Sequence, residues 1–489
     1  MNRIRSAYCV ACMLIIVIVI LTACTSVSPG TAPLSASPSP GNGTVGAASP
    51  TEAVATLDLA SPRAPAFYSR SYRNLFREYL GKTDEEVQQK LNATWQQLFY
   101  GDDESQRIYY PVGADMAYIL DVASREVRTE GMSYGMMIAV QLNKKDEFDK
   151  LWRFARTRMY HDSGPREGYF CWQAGVDGIC MDPNPAPDGE LYFAMALYFA
   201  SHRWGDGEGI FDYQAEADEL VREMMHQEDD NGGVVNNVYN IMNKTHNMVV
   251  FVPYAGAAGH SNPSYHLPHF YHLFALWGPP EDAEEWLQAR DRSRQYFPDV
   301  THDTTCLSPD YANWDGSPTG GDHADFRFDA WRTVSNWSVD YAWFAANDHA
   351  RDLSDCYQAF LESQGITSYA NQYTLDGIPL SANHSAGMVA QAAVGSLAAT
   401  HHRAWLFVDE LWNLSVPRGR WRYYDGLLYM LSLLHVSGRF RIWMPQEQAG
   451  TYNSSWSDTA LASERMPGPA PTPPYPINAH TATMMQRRR

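Results

Sequence analysis

Two kinds of helical segment alternate along the middle of this chain. In the first kind almost no residue on any side is charged, which is typical of a helix buried all round. In the second kind apolar residues recur at helical spacing and form one stripe opposite a charged face. The nearly uncharged segments are 131–142, 191–201, 264–277, 330–344, 385–400 and 426–436. The amphipathic segments are 146–159, 212–225, 282–295, 351–362, 403–412 and one that the capping box Thr83-Asp84-Glu85-Glu86 opens.

Six buried helices alternating with six amphipathic ones predict an inner ring of helices wrapped by an outer ring. This fold is the all-α (α/α)6 barrel. The competing fold is an open α-solenoid, which usually shows a regular repeat length. The inner segments start at unequal intervals and strand signals are few, so we predict the closed barrel. The long connections 162–188 and 301–328 are expected at its mouth, where loops of such length are usually functional.

Composition divides the chain into four stretches. Residues 1–24 combine Arg3 and Arg5 with an apolar run too short for a spanning helix of about 20 residues. They end in Leu21-Thr22-Ala23-Cys24, which resembles a bacterial lipobox, so we predict a lipoprotein signal peptide with Cys24 as the lipid attachment site. Residues 25–62 are rich in Ser, Pro and Gly and predict a flexible tether. Residues 63–445 lack a linker-like break and predict one domain, and the Pro-rich tail 446–489 is expected to be disordered.

The first stretch also predicts the location of the protein. An exported chain, anchored by lipid to the bacterial cell membrane, is the expected state. Plain secretion, a periplasmic location and an uncleaved anchor are the alternatives.

The net charge of −19 argues against nucleic-acid binding, which needs a basic face.

Export permits disulfides, and Cys171 with Cys180 is the preferred pair because it closes a short loop. The predicted mature chain has no Cys-x-x-Cys, so a zinc or redox motif is not supported, and we predict no cofactor. We expect a monomer.

Three acids occupy equivalent places in the pattern. Glu130 stands at the opening of the first uncharged segment, Asp188 at the second and Asp329 at the fourth. Each alone could serve as a helix cap, since acids complement the positive end of a helix. Three acids at the openings of inner helices instead converge on one cup at the barrel mouth.

Paired carboxylates in a cup lined by aromatic residues suit glycoside hydrolysis. One acid must stay protonated to release the leaving oxygen, and the other must be ionised to activate water. Glu130 abuts the apolar run and fits the acid, because burial raises a carboxyl pKa. Asp329 is followed by Arg332, which favours ionisation, and fits the base. Asp188 is expected either to orient the sugar or to tune the neighbouring acids.

Aromatic and polar side chains placed before inner helices are candidates for sugar binding. We predict this role for Trp172, Tyr265, His384 and Tyr424, although each could equally be core packing. Arg332 is either a further substrate contact or a structural partner of Asp340, since a buried charge is tolerated when it is paired.

At these residues the chain resembles glycoside hydrolase family eight over about residues 66 to 445. Thr129-Glu130-Gly131-Met132-Ser133-Tyr134-Gly135 is similar to the general-acid segment of that family, and Phe328-Asp329-Ala330-Trp331-Arg332 to its general-base segment. Ala186-Pro187-Asp188-Gly189-Glu190 resembles its Ala-Ser-Asp-Gly-Asp signature, with Pro187 and Glu190 as departures. The resemblance implies an (α/α)6 barrel and inversion of configuration without a metal cofactor.

Within the family, four stretches look closest to the reducing-end xylose-releasing exo-oligoxylanases. They are Tyr109-Tyr110-Pro111-Val112-Gly113, Asn262-Pro263-Ser264-Tyr265-His266-Leu267-Pro268, Asp310-Tyr311-Ala312-Asn313 and Tyr423-Tyr424-Asp425-Gly426. The resemblance implies a xylo-oligosaccharide substrate, with His384 and Tyr265 recognising its reducing-end sugar. An endo-acting xylanase or β-glucanase and a non-catalytic sugar-binding lipoprotein are the alternatives.

Overall fold

The structure is a computed structural model that describes residues 64–445. The predicted signal peptide with Cys24, the tether and the tail lie outside the described residues. The helices are α1 Ala66–Ser69, α2 Leu75–Leu80, α3 Asp84–Tyr100, α4 Thr129–Gln141, α5 Lys145–Arg158, α6 Pro187–Trp204, α7 Tyr213–Asp230, α8 Pro268–Trp277, α9 Ala283–Val300, α10 Thr333–Phe344, α11 His349–Ser363, α12 Ala386–Val394, α13 Ala404–Asn413 and α14 Arg422–Val436. Within this range no helix is long and apolar enough to cross a membrane.

Helices α4, α6, α8, α10, α12 and α14 form a closed inner ring. Each contacts the next, and α14 returns to contact α4. Helices α3, α5, α7, α9, α11 and α13 pack outside them, each against an inner helix. The predicted (α/α)6 barrel is therefore confirmed, and the contact of α14 with α4 excludes the open solenoid.

Burial follows the two hydrophobic patterns. In α4 every residue from Gly131 to Gln141 is buried, as an all-round apolar helix requires. In α5 the predicted stripe is buried, including Phe148 and Trp152. The capping box opens α3 as predicted. Thr83 Oγ1 accepts from the Glu86 N–H at 3.1 Å, and Glu86 Oε2 accepts from the Thr83 N–H at 2.8 Å.

The inner helices begin at different residues than their patterns suggest. Helices α4 and α6 already include Glu130 and Asp188 in their first turns, and neither acid is the N-cap residue. Asp329 lies in a 3-10 turn, Phe328–Arg332, which leads into α10. No N-cap side chain caps α4, α6 or this turn. Asp188 Oδ1 accepts from the Gly189 N–H at 3.0 Å, and its other oxygen remains available for other contacts.

Short strands, which the sequence pattern did not reveal, line one side of the mouth. Strands β1 Tyr109–Val112, β2 Met116–Asp121, β3 Glu126–Arg128, β4 Gln173–Ala174 and β5 Cys180–Asp182 form one antiparallel sheet in that order. Strands β6 Met242–Asn243 and β7 Met248–Val249 form a separate pair. Because β3 runs directly into α4 and pairs with β4, the sheet places the predicted long connection 162–188 beside Glu130.

Two disulfides are present in the domain. Cys171 is bonded to Cys180, which was the preferred pair, and Cys306 is bonded to Cys356. The first disulfide closes the connection that carries β4 and β5. It therefore limits the movement of Trp172 next to the mouth.

Candidate active site

The three predicted acids all contact the buried guanidinium of Arg332. Arg332 Nη1 lies 3.1 Å from Glu130 Oε2 and 2.7 Å from Asp188 Oδ2, and its Nη2 lies 3.2 Å from Asp329 Oδ1. The Arg332 side chain is only 5% exposed. The convergence that the sequence pattern predicted is thus present, and Arg332 is its centre.

Neighbouring polar groups hold Arg332 in place. It donates from Nη1 to the Tyr134 hydroxyl at 2.6 Å and from Nη2 to Ser264 Oγ at 2.9 Å. These two contacts and the three carboxyls occupy both terminal amino groups. The expected contact of Arg332 with Asp329 is present, and Arg332 also pairs with Glu130 and Asp188. The alternative link to Asp340 is also absent, because Asp340 pairs with Arg294 at 2.9 Å.

Each reactive carboxyl has a second oxygen held by another donor. The Tyr423 hydroxyl donates to Glu130 Oε1 at 3.0 Å, and Asn262 Nδ2 donates to Asp329 Oδ2 at 2.9 Å. The close approach of Tyr423 requires Gly131, since a Cβ there would lie 2.5 Å from the Tyr423 ring. These contacts fix the orientation of the carboxyls before any substrate arrives.

The side chains of the three acids differ in how much of their surface is exposed. The Asp329 side chain is 25% exposed, that of Glu130 14% and that of Asp188 6%. Burial raises the pKa of Glu130 to about 7; Arg332 lowers it, and Asp188 and Asp329 raise it further. Burial also raises the pKa of Asp188 above its ordinary value, against the opposing effect of Arg332. Glu130 therefore has the proton affinity of an acid catalyst at neutral pH, and Asp329 is the carboxyl most open to water.

Three of the predicted sugar-binding aromatic residues lie around this centre. The ring of Tyr265 lies 5.6 Å and that of Tyr424 5.9 Å from Arg332 Cζ. Trp172 is half-buried, with its ring 5.5 Å from Arg128 Cζ, and its carbonyl accepts from the Thr129 N–H. All three can line a cup that leads to the acids.

The structure does not bring His384 to Arg332. Its Nδ1 lies 2.7 Å from the Tyr369 carbonyl oxygen and its Nε2 2.7 Å from Glu410 Oε1. Both ring nitrogens are therefore occupied by protein partners. A contact with a sugar requires the imidazole to release one of them, and this role of His384 stays a prediction.

Sequence reasoning did not assign several side chains that complete the site. Tyr134, Asn262 and Ser264 contact Arg332 or Asp329 directly. Asp310 is buried and accepts from His323 Nδ1 at 2.6 Å. Burial and the charge of Asp329 raise the pKa of Asp310 to about 7. The signal was present, because Asn262, Ser264 and Asp310 lie in the quoted stretches, at the opening of the inner segment 264–277 and in the connection 301–328. The pattern does not show which polar residues of those stretches face the acids.

Within residues 64–445 no group of three or more His, Cys, Asp or Glu side chains is placed to hold a metal ion. A site without metal stays a prediction.

A protonated acid beside a second, water-accessible carboxyl is what hydrolysis of a glycosidic bond requires. The barrel presents both at its mouth, and the chain is accordingly a glycoside hydrolase. It belongs to the glycosyl hydrolases family 8, whose sequence profile matches residues 118–438. The predicted family is thus confirmed.

Known proteins resemble the chain over most of its length. The reducing-end xylose-releasing exo-oligoxylanase Rex8A of Paenibacillus barcinonensis is 42% identical over 77% of this chain and 98% of that protein. The reducing end xylose-releasing exo-oligoxylanase of Halalkalibacterium halodurans is 42% identical over 78% of this chain and 97% of its own length. Among solved structures, a catalytic mutant of a family 8 xylanase from Teredinibacter turnerae in complex with xylohexaose is 44% identical, with a TM-score of 0.74 over 78% of this chain and 100% of that one.

Proposed function

We propose that this enzyme releases xylose from the reducing end of β-1,4-linked xylo-oligosaccharides. The observation that carries the proposal is the joint presence of the acids around Arg332 and near-full-length similarity to two enzymes described by that activity. The rings of Tyr265 and Tyr424 lie next to Arg332, and Tyr424, which is half-buried, is the one more open to a sugar.

The proposed reaction is a single displacement. Glu130 gives its proton to the glycosidic oxygen while Asp329 takes a proton from the attacking water. The bond from the anomeric carbon to the leaving oxygen breaks as the bond to the water oxygen forms. The configuration at that carbon therefore inverts. Asp188 keeps Arg332 and the sugar in position from its buried site.

Cleavage of oligosaccharides with intact and reduced ends tests the direction of attack. The enzyme is expected to convert xylotriose to xylobiose and xylose, and to leave xylotriitol uncleaved because the terminal ring is opened. Xylohexaose should yield xylose and xylopentaose first. Comparable rates on reduced and unreduced substrates would contradict release from the reducing end. The Glu130→Gln variant serves as the inactive control.

Endo-acting cleavage of xylan is the second candidate. The solved complex of the 44% identical Teredinibacter turnerae xylanase contains xylohexaose, a substrate long enough for internal cleavage. The same experiment separates the two activities, since an endo-enzyme releases xylobiose and xylotriose early from xylohexaose and accepts reduced ends.

We also propose that the enzyme is exported and anchored by lipid at Cys24. The support is the lipobox-like Leu21-Thr22-Ala23-Cys24 at the end of a short apolar run. Replacing Cys24 with Ser should move activity from the membrane fraction to the soluble one, and an unchanged distribution would count against the anchor.

A further inference from the structure

Glu190 is a buried acid that the proposed reaction does not use. It lies in the first turn of α6, two residues after Asp188, and is 1% exposed. Its Oε1 accepts from the Phe170 N–H at 3.3 Å. Its Oε2 is buried and has no hydrogen-bond partner among residues 64–445. An acid in such a place needs an explanation, since an unpaired buried charge is costly.

The segment that Glu190 contacts leads directly to the catalytic acid. Cys171 follows Phe170 and is held by the disulfide to Cys180. The next residue, Trp172, accepts through its carbonyl from the Thr129 N–H at 3.0 Å. Thr129 is the residue immediately before Glu130. A chain of contacts thus joins the first turn of α6, which carries Asp188, to the first turn of α4, which carries Glu130.

The surroundings of Glu190 favour its neutral form. Burial raises its pKa well above the ordinary value, and the negative charge of Asp188 acts in the same direction. The N–H groups of Glu190 and Phe170 act in the opposite sense. Burial also raises the pKa of the nearby Tyr169 phenol, and the charge of Glu190 acts in the same direction.

We propose that Glu190 is a positioning residue that holds the Phe170–Trp172 segment, and with it the Trp172 ring, in the place that a bound sugar needs. It acts as a neutral hydrogen-bond acceptor, and its contribution does not require charge. In the family signature this position carries Asp. From the first turn of α6 the carboxyl of Glu190 reaches the Phe170 N–H at 3.3 Å.

Kinetics of two variants test the role. Glu190→Gln keeps an acceptor oxygen of the same reach without charge, and its KM for xylohexaose should stay within about twofold of wild type. Glu190→Ala loses the link, and its KM should rise about tenfold with a smaller change in kcat, because substrate placement rather than proton transfer is impaired. Glu78→Gln in α2, which removes a charge that pairs with Arg73, is the matched control and should change neither constant.

A double-mutant cycle with Trp172→Ala distinguishes positioning from a general loss of stability. If Glu190 acts through Trp172, Glu190→Ala should raise KM little further once the Trp172 ring is gone. Additive effects of the two substitutions, or a loss in Glu190→Gln equal to that in Glu190→Ala, would overturn the proposal. If Glu190→Ala fails to fold, Glu190→Gln still decides whether charge is needed.

This inference rests on the proposed function for its substrate. The two are tested separately, since the wild-type rate on xylohexaose tests the proposed function alone. The ratio of variant to wild-type constants, measured on whichever β-1,4-oligosaccharide the wild type hydrolyses, tests Glu190.

Discussion

Replacing Glu130 with Gln is expected to lower kcat/KM for xylo-oligosaccharides by about 10²–10⁴-fold while the fold stays intact. The amide preserves the size of the side chain and its contact with Tyr423, but it has no proton to give to the leaving oxygen. The pKa of about 7 for Glu130 adds a pH dependence. Because only the protonated acid is active, wild-type kcat/KM should fall as the pH rises through 7, and this limb should be absent from the variant.

A substrate that needs no protonation separates the role of Glu130 from a general defect. Fluoride leaves without acid catalysis, so Glu130→Gln should lose far less activity on a xylo-oligosaccharyl fluoride than on the oligosaccharide. Asp329→Asn should be impaired on both substrates, because attack by water still needs a base. Equal losses of Glu130→Gln on the two substrates would remove Glu130 from the acid role.

Replacing Arg332 with Met is expected to cost about 3–5 kcal/mol of unfolding free energy and nearly all activity. Arg332 pairs with three buried or half-buried carboxyls, and its loss leaves them without a cation. The pKa values of Glu130 and Asp188, which burial already raises, should then rise further because Arg332 no longer lowers them. A raised pKa contributes stability at low pH that is lost as pH increases, so the deficit of the variant should be larger above pH 7 than at pH 5.

Urea unfolding of wild type and variant at both pH values measures this difference. Arg294→Met is a matched control, because Arg294 pairs with one buried acid, Asp340, away from the cup. Its deficit should be smaller and should change less between the two pH values, because one buried carboxyl rather than three carboxyls loses its cation. A deficit of Arg332→Met that does not change with pH would show that its carboxyl partners are not the cause.

The hydrophobic pattern predicted the architecture because the positions of charged residues around each kind of helix show which of its sides are buried. A helix that is buried all round, such as α4, excludes charge from every side, whereas α5 excludes it from one side only. The strands are two to six residues long, too short for alternation to be recognised, and β3 and β4 pair across a separation in sequence that no local pattern records. The helix starts were misplaced for a similar reason, since the acids interrupt the apolar run that marks each helix.

The candidate site was predictable only in part. Glu130, Asp188 and Asp329 were found because their positions relative to inner helices are equivalent. The central place of Arg332 was not, because its bonds to Asp188 and Glu130 span 144 and 202 residues. Only its neighbour Asp329, three residues away, was visible locally. For His384, the place before an inner helix suggested sugar binding. The sequence did not reveal that Tyr369 and Glu410 contact its two ring nitrogens.

The central claim is a single displacement in which Glu130 and Asp329 act together on a β-linked substrate. Proton NMR during the first minutes of xylohexaose hydrolysis, before the anomers equilibrate, measures the configuration of the newly formed reducing end. We expect this end to appear first as the α-anomer. First appearance of the β-anomer would indicate a covalent intermediate with retention of configuration, and would contradict the assignment of Asp329 as the base.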